Sequence, residues 1–136
     1  MKEVGKIWMN GKFVPFKDAN VHVLTHALHY STAVFEGIRC YNTPNGSAIF
    51  RLTEHVDRLF NSAKLYGMKM RYTKKQITDA IIRTVKASGL KDCYIRPIAY
   101  YGYGTMGLTP TLNKVDVSIS CWEWKMGESK AGKFSG

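Results

Sequence analysis

The chain has 136 residues, 45% of them hydrophobic, and 20 Lys and Arg against 10 Asp and Glu give a formal net charge of +10. This length predicts one domain around one core, and no apolar run approaches the roughly 20 residues of a membrane span. The first residues resemble no secretory signal, and the three widely separated cysteines lack the spacing of a zinc site. We therefore expect a cytoplasmic protein with reduced thiols.

The excess of positive charge favours anionic partners, either nucleic acid or small phosphates and carboxylates. The basic residues are scattered, however, and no Lys or Arg block is longer than Lys74-Lys75. A dispersed excess supports nucleic-acid binding less than a basic stripe would. We expect neither nucleic acid nor a membrane as a partner, and a basic module that binds nucleic acid or phosphate ligands stays as an alternative.

Two hairpins are predicted in the first part of the chain. Asn10-Gly11 is a type I′ turn signal between strands at residues 7–9 and 12–14, because both turn residues tolerate positive φ. A second hairpin is predicted to join residues 38–41 to residues 48–51 through the loop 42–47. Between the hairpins, residues 25–35 predict a short helix that ends near Gly37.

Two amphipathic helices follow. Thr53 is the predicted N-cap of the first, and its apolar stripe consists of Val56, Leu59, Phe60 and Ala63. The second begins with a capping box from Thr73 to Gln76 and ends at Gly89. Its predicted buried face consists of Ile77, Ala80, Ile81 and Val85.

Strands are predicted at residues 93–101 and 115–121, and the second strand alternates apolar and polar residues. Strands, then two helices, then strands again indicate an α+β fold, in which a mostly antiparallel sheet packs against two main amphipathic helices. Residues 128–136 are polar and rich in Gly and Lys, which predicts a linker or tail.

Two motifs have a structural and a functional interpretation. Residues 102–107 match G-x-G-x-x-G after a predicted strand, but poor helix sequence follows, so we expect a loop between two strands rather than a dinucleotide site. His22, His26 and His29 have helical spacing, yet His22 lies in a segment that reads as extended. We therefore expect packing or interface hydrogen bonds from these histidines and no metal site.

Three residues are candidates for holding anions. Arg58 lies about 200° around its helix from Val56, so it faces away from the core stripe, and its fork of donors suits a phosphate. Tyr94 and Arg96 share one face of a strand, where a phenol beside a guanidinium suits a carboxylate. Each has a structural alternative: a solvated arginine, and an ordinary half-exposed strand. Pro97 predicts that this strand is an edge strand or ends there.

Blocks spread along the chain resemble the N-terminal domain of branched-chain amino acid aminotransferases, which are fold-type IV, pyridoxal phosphate (PLP) dependent enzymes. Their order and spacing carry the resemblance up to about Trp124. The blocks are residues 7–11, 21–23, 26–30, 34–41, 50–55, 58–59, 94–97, 104 and 106–108.

The resemblance implies a role for each site residue. Arg58 would bind the PLP phosphate, and Phe35 and Gly37 would line an apolar pocket for leucine, isoleucine or valine. Tyr94 and Arg96 would orient the substrate, with Arg96 favouring the distal carboxylate of glutamate or 2-oxoglutarate. Two further residues would reach into the site of a neighbouring subunit, which implies at least a homodimer; they are Tyr30 and Leu108.

The resemblance also implies a two-domain enzyme. Residues 1–127 would be its small N-terminal domain, residues 128–136 a linker, and the Schiff-base lysine would lie in a later domain that this chain does not contain. No catalytic residue is then expected here, and the chain alone should not transaminate amino acids and 2-oxo acids. Related alternatives are a D-amino acid aminotransferase and an aminodeoxychorismate lyase.

Overall fold

The computed structural model describes residues 2–124. The strands are β1 (Lys6–Met9), β2 (Lys12–Pro15), β3 (Ala33–Phe35), β4 (Ile38–Thr43), β5 (Gly46–Ile49), β6 (Cys93–Tyr101) and β7 (Val115–Trp122). The helices are α1 (His26–Tyr30), α2 (Leu52–Leu65) and α3 (Lys74–Ser88), with a 3-10 turn at Phe16–Asp18. The predicted boundary at residue 127 and the tail 128–136 lie outside the described residues.

One seven-stranded antiparallel sheet organises the domain. Its order is β2-β1-β7-β6-β4-β5, and β3 also pairs with β6. Helices α2 and α3 pack together and cover one face. The α+β prediction, with an antiparallel sheet and two main helices, is confirmed. Within residues 2–124, no helix is long and apolar enough to span a membrane.

The face under the helices holds the core, as the alternation of the strands predicts. In β7, Val115, Val117, Ile119 and Cys121 are buried and the residues between them are half-buried. The opposite face carries α1 and residues 19–28 above an apolar cavity of about 360 Å³. Tyr94 and Arg96 lie on this second face and remain half-buried.

Strands β3 and β4 form one interrupted ladder against β6. Phe35 pairs with Ile98 and Ile38 pairs with Ile95, so the register is the same on both sides of the gap. At the gap the Glu36 N–H donates to the Pro97 carbonyl at 3.1 Å. Pro97 has no N–H to return, so the reciprocal hydrogen bond cannot form.

The edge position predicted from Pro97 is wrong. β6 has β7 on one side and β3 and β4 on the other, so it is a central strand. The sheet tolerates Pro97 because the strand beside it breaks at the same level, between Phe35 and Ile38.

The predicted helix over residues 25–35 is also wrong in its second half. The α1 helix ends at Tyr30, and Ser31 takes a left-handed φ of 55°. Residues Ala33–Phe35 then pair with β6 instead of continuing the helix. Gly37 is therefore not a helix stop. Pairing with a distant strand overrides the local helical tendency.

Two further boundaries differ from prediction. The second hairpin has only Pro44 and Asn45 between its strands, because β4 extends to Thr43 and β5 begins at Gly46. Helix α2 begins after Arg51, which takes a left-handed φ of 50°, so Thr53 lies inside the helix and is not its N-cap.

The predicted Asn10-Gly11 turn and both predicted caps of α3 are confirmed. Asn10 and Gly11 have φ of 49° and 90°, as a type I′ turn requires. The Thr73 hydroxyl accepts a hydrogen bond from the Gln76 N–H at 3.1 Å, and the Gln76 side chain accepts one from the Thr73 N–H at 2.8 Å. Gly89 ends α3 with φ of 69°.

Three thiols lie inside the core on neighbouring strands. Cys40 and Cys93 are directly paired across β4 and β6, and Cys121 lies on β7. All three are at most 1% exposed and none forms a disulfide. Burial raises the pKa of Cys40, and a hydrogen bond to Cys121 together with burial raises that of Cys93.

We expect these three thiols to be unreactive in the folded protein, because their burial keeps reagent away from them. The raised pKa values of Cys40 and Cys93 also disfavour their thiolates. A hydrogen bond from Cys93 lowers the pKa of Cys121 to about 7, so this thiol is protected by burial alone. A thiol reagent such as Ellman's reagent, followed by absorbance, should label none of them under native conditions and all three in denaturant. Rapid stoichiometric labelling without denaturant would contradict this core arrangement.

Candidate functional site

A buried carboxylate joins the sheet to helix α2. Glu36 is 4% exposed and lies at the gap between β3 and β4. Its Oε1 accepts a hydrogen bond from Arg58 Nε at 2.7 Å, and its Oε2 accepts one from Arg58 Nη2 at 2.7 Å. His55 Nδ1 donates to Oε2 at 2.8 Å. An ionised carboxylate only accepts, so the His55 proton in this contact lies on Nδ1.

The charges of this cluster stabilise each other. Burial by itself would raise the pKa of Glu36, but the hydrogen bonds and charges of Arg58 and His55 outweigh it, so the pKa lies below its usual value. The hydrogen bond and charge of Glu36 in turn raise the pKa of Arg58. Glu36 is therefore ionised and Arg58 protonated throughout the physiological range.

Arg58 keeps one edge of its guanidinium available. Nε and Nη2 are bound to Glu36, whereas Nη1 makes no hydrogen bond within residues 2–124. The side chain is 67% exposed, which agrees with the predicted orientation away from the core stripe. Beside it lies a groove of about 140 Å³, lined by Arg51, Glu54, His55 and Arg58. This groove, called the α2 groove below, can take a small anion.

On the second face of the sheet, four predicted site residues lie together. The Arg96 Nη2 donates to the Tyr94 hydroxyl at 2.9 Å, and the Arg96 guanidinium carbon lies 4.0 Å from the centre of the Phe35 ring. A Cβ on Gly37 would overlap the Tyr94 hydroxyl, so only glycine leaves room for this arrangement. The structure thus brings together Phe35, Gly37, Tyr94 and Arg96.

This group combines an apolar aromatic surface with a guanidinium that, among the described residues, lacks a hydrogen-bond partner for one of its nitrogens. Phe35 is 55% exposed, and the Tyr94 ring packs at tilted angles against the rings of Trp122 and Trp124, with ring centres 4.9 and 4.7 Å away. The Arg96 Nε is buried without a hydrogen-bond partner in residues 2–124. Such a surface can hold an aliphatic chain against the rings, or a carboxylate against the guanidinium.

The four residues Phe35, Gly37, Tyr94 and Arg96 are called the open-face cluster below. Glu36 connects this cluster to the α2 groove through Arg58. Residues 35–37 carry Phe35 into the cluster, Glu36 towards α2, and Gly37 under Tyr94. Successive strand residues point to opposite faces. Residues 35–37 therefore contribute side chains to one face and the anchor of Arg58 to the other.

Tyr30 and Leu108 form a second group. The Tyr30 hydroxyl donates to the Met106 carbonyl at 2.8 Å, and Leu108 is 82% exposed on the same loop. His26, buried beneath them, contacts the Gly107 carbonyl through Nε2 at 2.8 Å. Because a carbonyl only accepts, Nε2 carries the proton. Helix α1 and the loop between β6 and β7 therefore hold each other in place.

The structure places both sequence motifs. Residues 102–107 lie in the loop between β6 and β7, with no helix at the end of the motif, so the predicted loop is confirmed. The histidines have separate partners: His22 accepts from the Leu24 N–H, His26 binds the loop, and His29 donates to the Val23 carbonyl. Among the described residues, no group of three His, Cys, Asp or Glu side chains would hold a metal ion.

Sequence reasoning gave no role to Glu36 or His55. A signal was available for His55, because residues 55 and 58 are three apart and therefore adjacent on one helix face. For Glu36 the signal was an acidic residue directly after an apolar strand segment, in a position that alternation places towards the core.

Comparison with known proteins identifies the family. Residues 33–134 match the family described as Amino-transferase class IV. The branched-chain-amino-acid aminotransferase of Pseudomonas aeruginosa is 48% identical over 126 residues, which are 91% of this chain and 41% of that enzyme. That of Escherichia coli K12 is 40% identical over 124 residues, 90% of this chain and 40% of the enzyme.

Solved structures agree in fold. The crystal structure of the Escherichia coli branched-chain amino acid aminotransferase matches with a TM-score of 0.87 and 40% identity, covering 90% of this chain and 41% of that one. A second such enzyme, from T.th., matches with a TM-score of 0.88 and 47% identity, and it has been solved complexed with N-(5'-phosphopyridoxyl)-L-glutamate. The chain spans about two fifths of the length of these relatives. The family match and the fold together show that the chain belongs to the class IV aminotransferases.

Proposed function

We propose that the protein containing this chain is a PLP-dependent transaminase that exchanges the amino group between leucine, isoleucine or valine and 2-oxoglutarate. The observation that carries the proposal is the pair of sites that residues 35–37 connect. One site offers a free guanidinium edge at a groove, and the other offers a guanidinium beside aromatic rings. The names of the relatives support the substrate class.

Arg58 is the proposed phosphate ligand of the cofactor. The α2 groove and the free Nη1 fit a phosphate group, for which a fixed arginine fork is a strong partner. The complex of the T.th. enzyme with a phosphopyridoxyl compound supports a cofactor of this class for the protein. When bound, PLP supplies an electron sink for cleavage of the Cα–H bond. The described residues contribute binding and orientation.

The open-face cluster is the proposed substrate site. Phe35, with room left by Gly37, would pack against a branched aliphatic side chain, and Arg96 would bind the distal carboxylate of glutamate or 2-oxoglutarate. Tyr94 fixes the guanidinium through its hydroxyl. One site can then accept two chemically different substrates, because the aliphatic chain and the carboxylate use different parts of it.

Tyr30 and Leu108 are proposed to complete the site of a second subunit in a homodimer. Both are exposed, at 38% and 82%, and the contacts of Tyr30 and His26 fix the loop that carries Leu108. A large apolar side chain that is exposed on a fixed loop is suited to contact another chain.

The proposed domain arrangement has residues 1–127 as the small domain and residues 128–136 as a linker to a domain with the cofactor-bearing lysine. The 41% share of the Pseudomonas aeruginosa enzyme that this chain covers supports it. We propose a cytoplasmic location, which the three free cysteines support.

Changing Arg96→Gln in the intact protein should separate the two substrate classes. Loss of the guanidinium removes a charge-assisted hydrogen bond to the distal carboxylate, so kcat/KM for glutamate should fall on the order of 10- to 100-fold. The value for leucine should fall much less. Single-turnover kinetics of the two half-reactions measure both.

Arg83→Gln is the matched control, because Arg83 lies over the Phe13 ring, away from both sites, and should alter neither value. Equal losses for glutamate and leucine would contradict the carboxylate role of Arg96.

The 136-residue chain by itself should not attach PLP covalently at one lysine, because the proposed arrangement places the cofactor-bearing lysine in the other domain. Mixing the chain with PLP, reducing with borohydride and measuring mass should give no single stoichiometric adduct, and no transaminase activity should appear. The intact protein serves as the positive control. One specific adduct with activity would overturn the proposed domain arrangement.

A further inference from the structure

Arg58 would be a poorly defined phosphate ligand if it were held by its helix alone. Its side chain projects from the exposed surface of α2 and is 67% exposed. A long side chain in that position samples many rotamers, and ordering it costs conformational entropy when a ligand binds. The structure removes this freedom through a contact with the sheet, not with the helix.

That contact is the side-on pairing of Arg58 with Glu36. Two parallel hydrogen bonds of 2.7 Å fix the plane of the guanidinium and direct the remaining nitrogen, Nη1, away from the carboxylate. Glu36 is itself fixed, because its N–H donates to the Pro97 carbonyl in the central strand. Glu36 thereby fixes the orientation of Arg58 relative to the sheet that carries the open-face cluster.

His55 is oriented by the same carboxylate. Its Nδ1 donates to Glu36 Oε2, so its other nitrogen is the one left for a ligand, and His55 lines the α2 groove. Glu36 thus sets the direction of two of the four residues around the groove, without lining the groove itself.

We propose that Glu36 is a positioning residue, which holds Arg58 and His55 in the arrangement that receives the cofactor phosphate. The inference rests on the proposed function, because it presumes that a phosphate occupies the α2 groove. The proposed function assigns no role to Glu36, and the inference adds one. The Glu36 carboxylate acts only on recognition of the phosphate group.

The test compares PLP with pyridoxal, which lacks the phosphate. Dissociation constants for both are measured by absorbance titration of the intact apoprotein and of its Glu36→Gln variant. The glutamine places N–H donors against the donors of Arg58 and His55 and removes the charge. We expect the preference for PLP over pyridoxal to fall about tenfold, with pyridoxal affinity nearly unchanged.

A second background tests the route through Arg58. In an Arg58→Ala protein, Glu36→Gln should reduce the preference for PLP much less than in the wild type, since only His55 is then left for Glu36 to orient. Asp79→Asn is the matched control: Asp79 also accepts from a cation, Lys75 at 2.6 Å, but on α3. It should leave both affinities unchanged.

Three results would overturn the inference: equal loss of PLP and pyridoxal affinity, no loss of either, or an undiminished effect of Glu36→Gln in the Arg58→Ala background. The first would mean a general structural role. If Glu36→Gln does not fold, Glu36→Asp takes its place, because it keeps the charge and is too short for both bonds. A wild-type protein with no preference for PLP would overturn the proposed function, and this inference with it.

Discussion

Pro97 lies in the middle of the central strand and has no N–H for the strand beside it. The neighbouring ladder therefore opens at Glu36 and Gly37, although its register is the same before and after the gap. At this opening two features point to opposite faces of the sheet. Glu36 reaches helix α2, and the empty side of Gly37 accommodates the Tyr94 hydroxyl. Both sites thus depend on the backbone of residues 36–37, next to the one hydrogen bond that Pro97 cannot make.

The contacts of Glu36 with Arg58 and His55 are better explained by the orientation that they impose on these side chains than by a gain in the stability of the fold. Burying a carboxylate is costly, and three N–H donors from Arg58 and His55 replace the water it loses. Such an exchange adds little net stability, because the desolvation and the new bonds nearly cancel. What it does provide is a fixed direction for a guanidinium that would otherwise move freely on a helix surface.

One face of the sheet forms the hydrophobic core, and the other carries the proposed substrate site. The face under α2 and α3 is filled with aliphatic side chains and three thiols, and it accounts for the fold. The other face exposes aromatic rings and a guanidinium, which contribute little to the core and are available for a ligand. Because alternate residues of β6 serve the two faces, the substitution of a residue on one face need not disturb the other.

Sequence alone determined several elements whose signals are local, although the local N-cap signal at Thr53 was wrong. The Asn10-Gly11 turn, the Thr73 capping box and the alternation in β7 each depend on residues within a few positions, and all were predicted. Period-two spacing likewise placed Tyr94 and Arg96 on one face, whereas the roles of the site residues came from the family resemblance. Only the tertiary structure decided that the segment after Ser31 is a strand, that Pro97 is central, and that Glu36 binds Arg58. Each of these depends on a partner far away in the chain, and hydrogen bonding to a distant strand or helix leaves no periodic trace in the sequence.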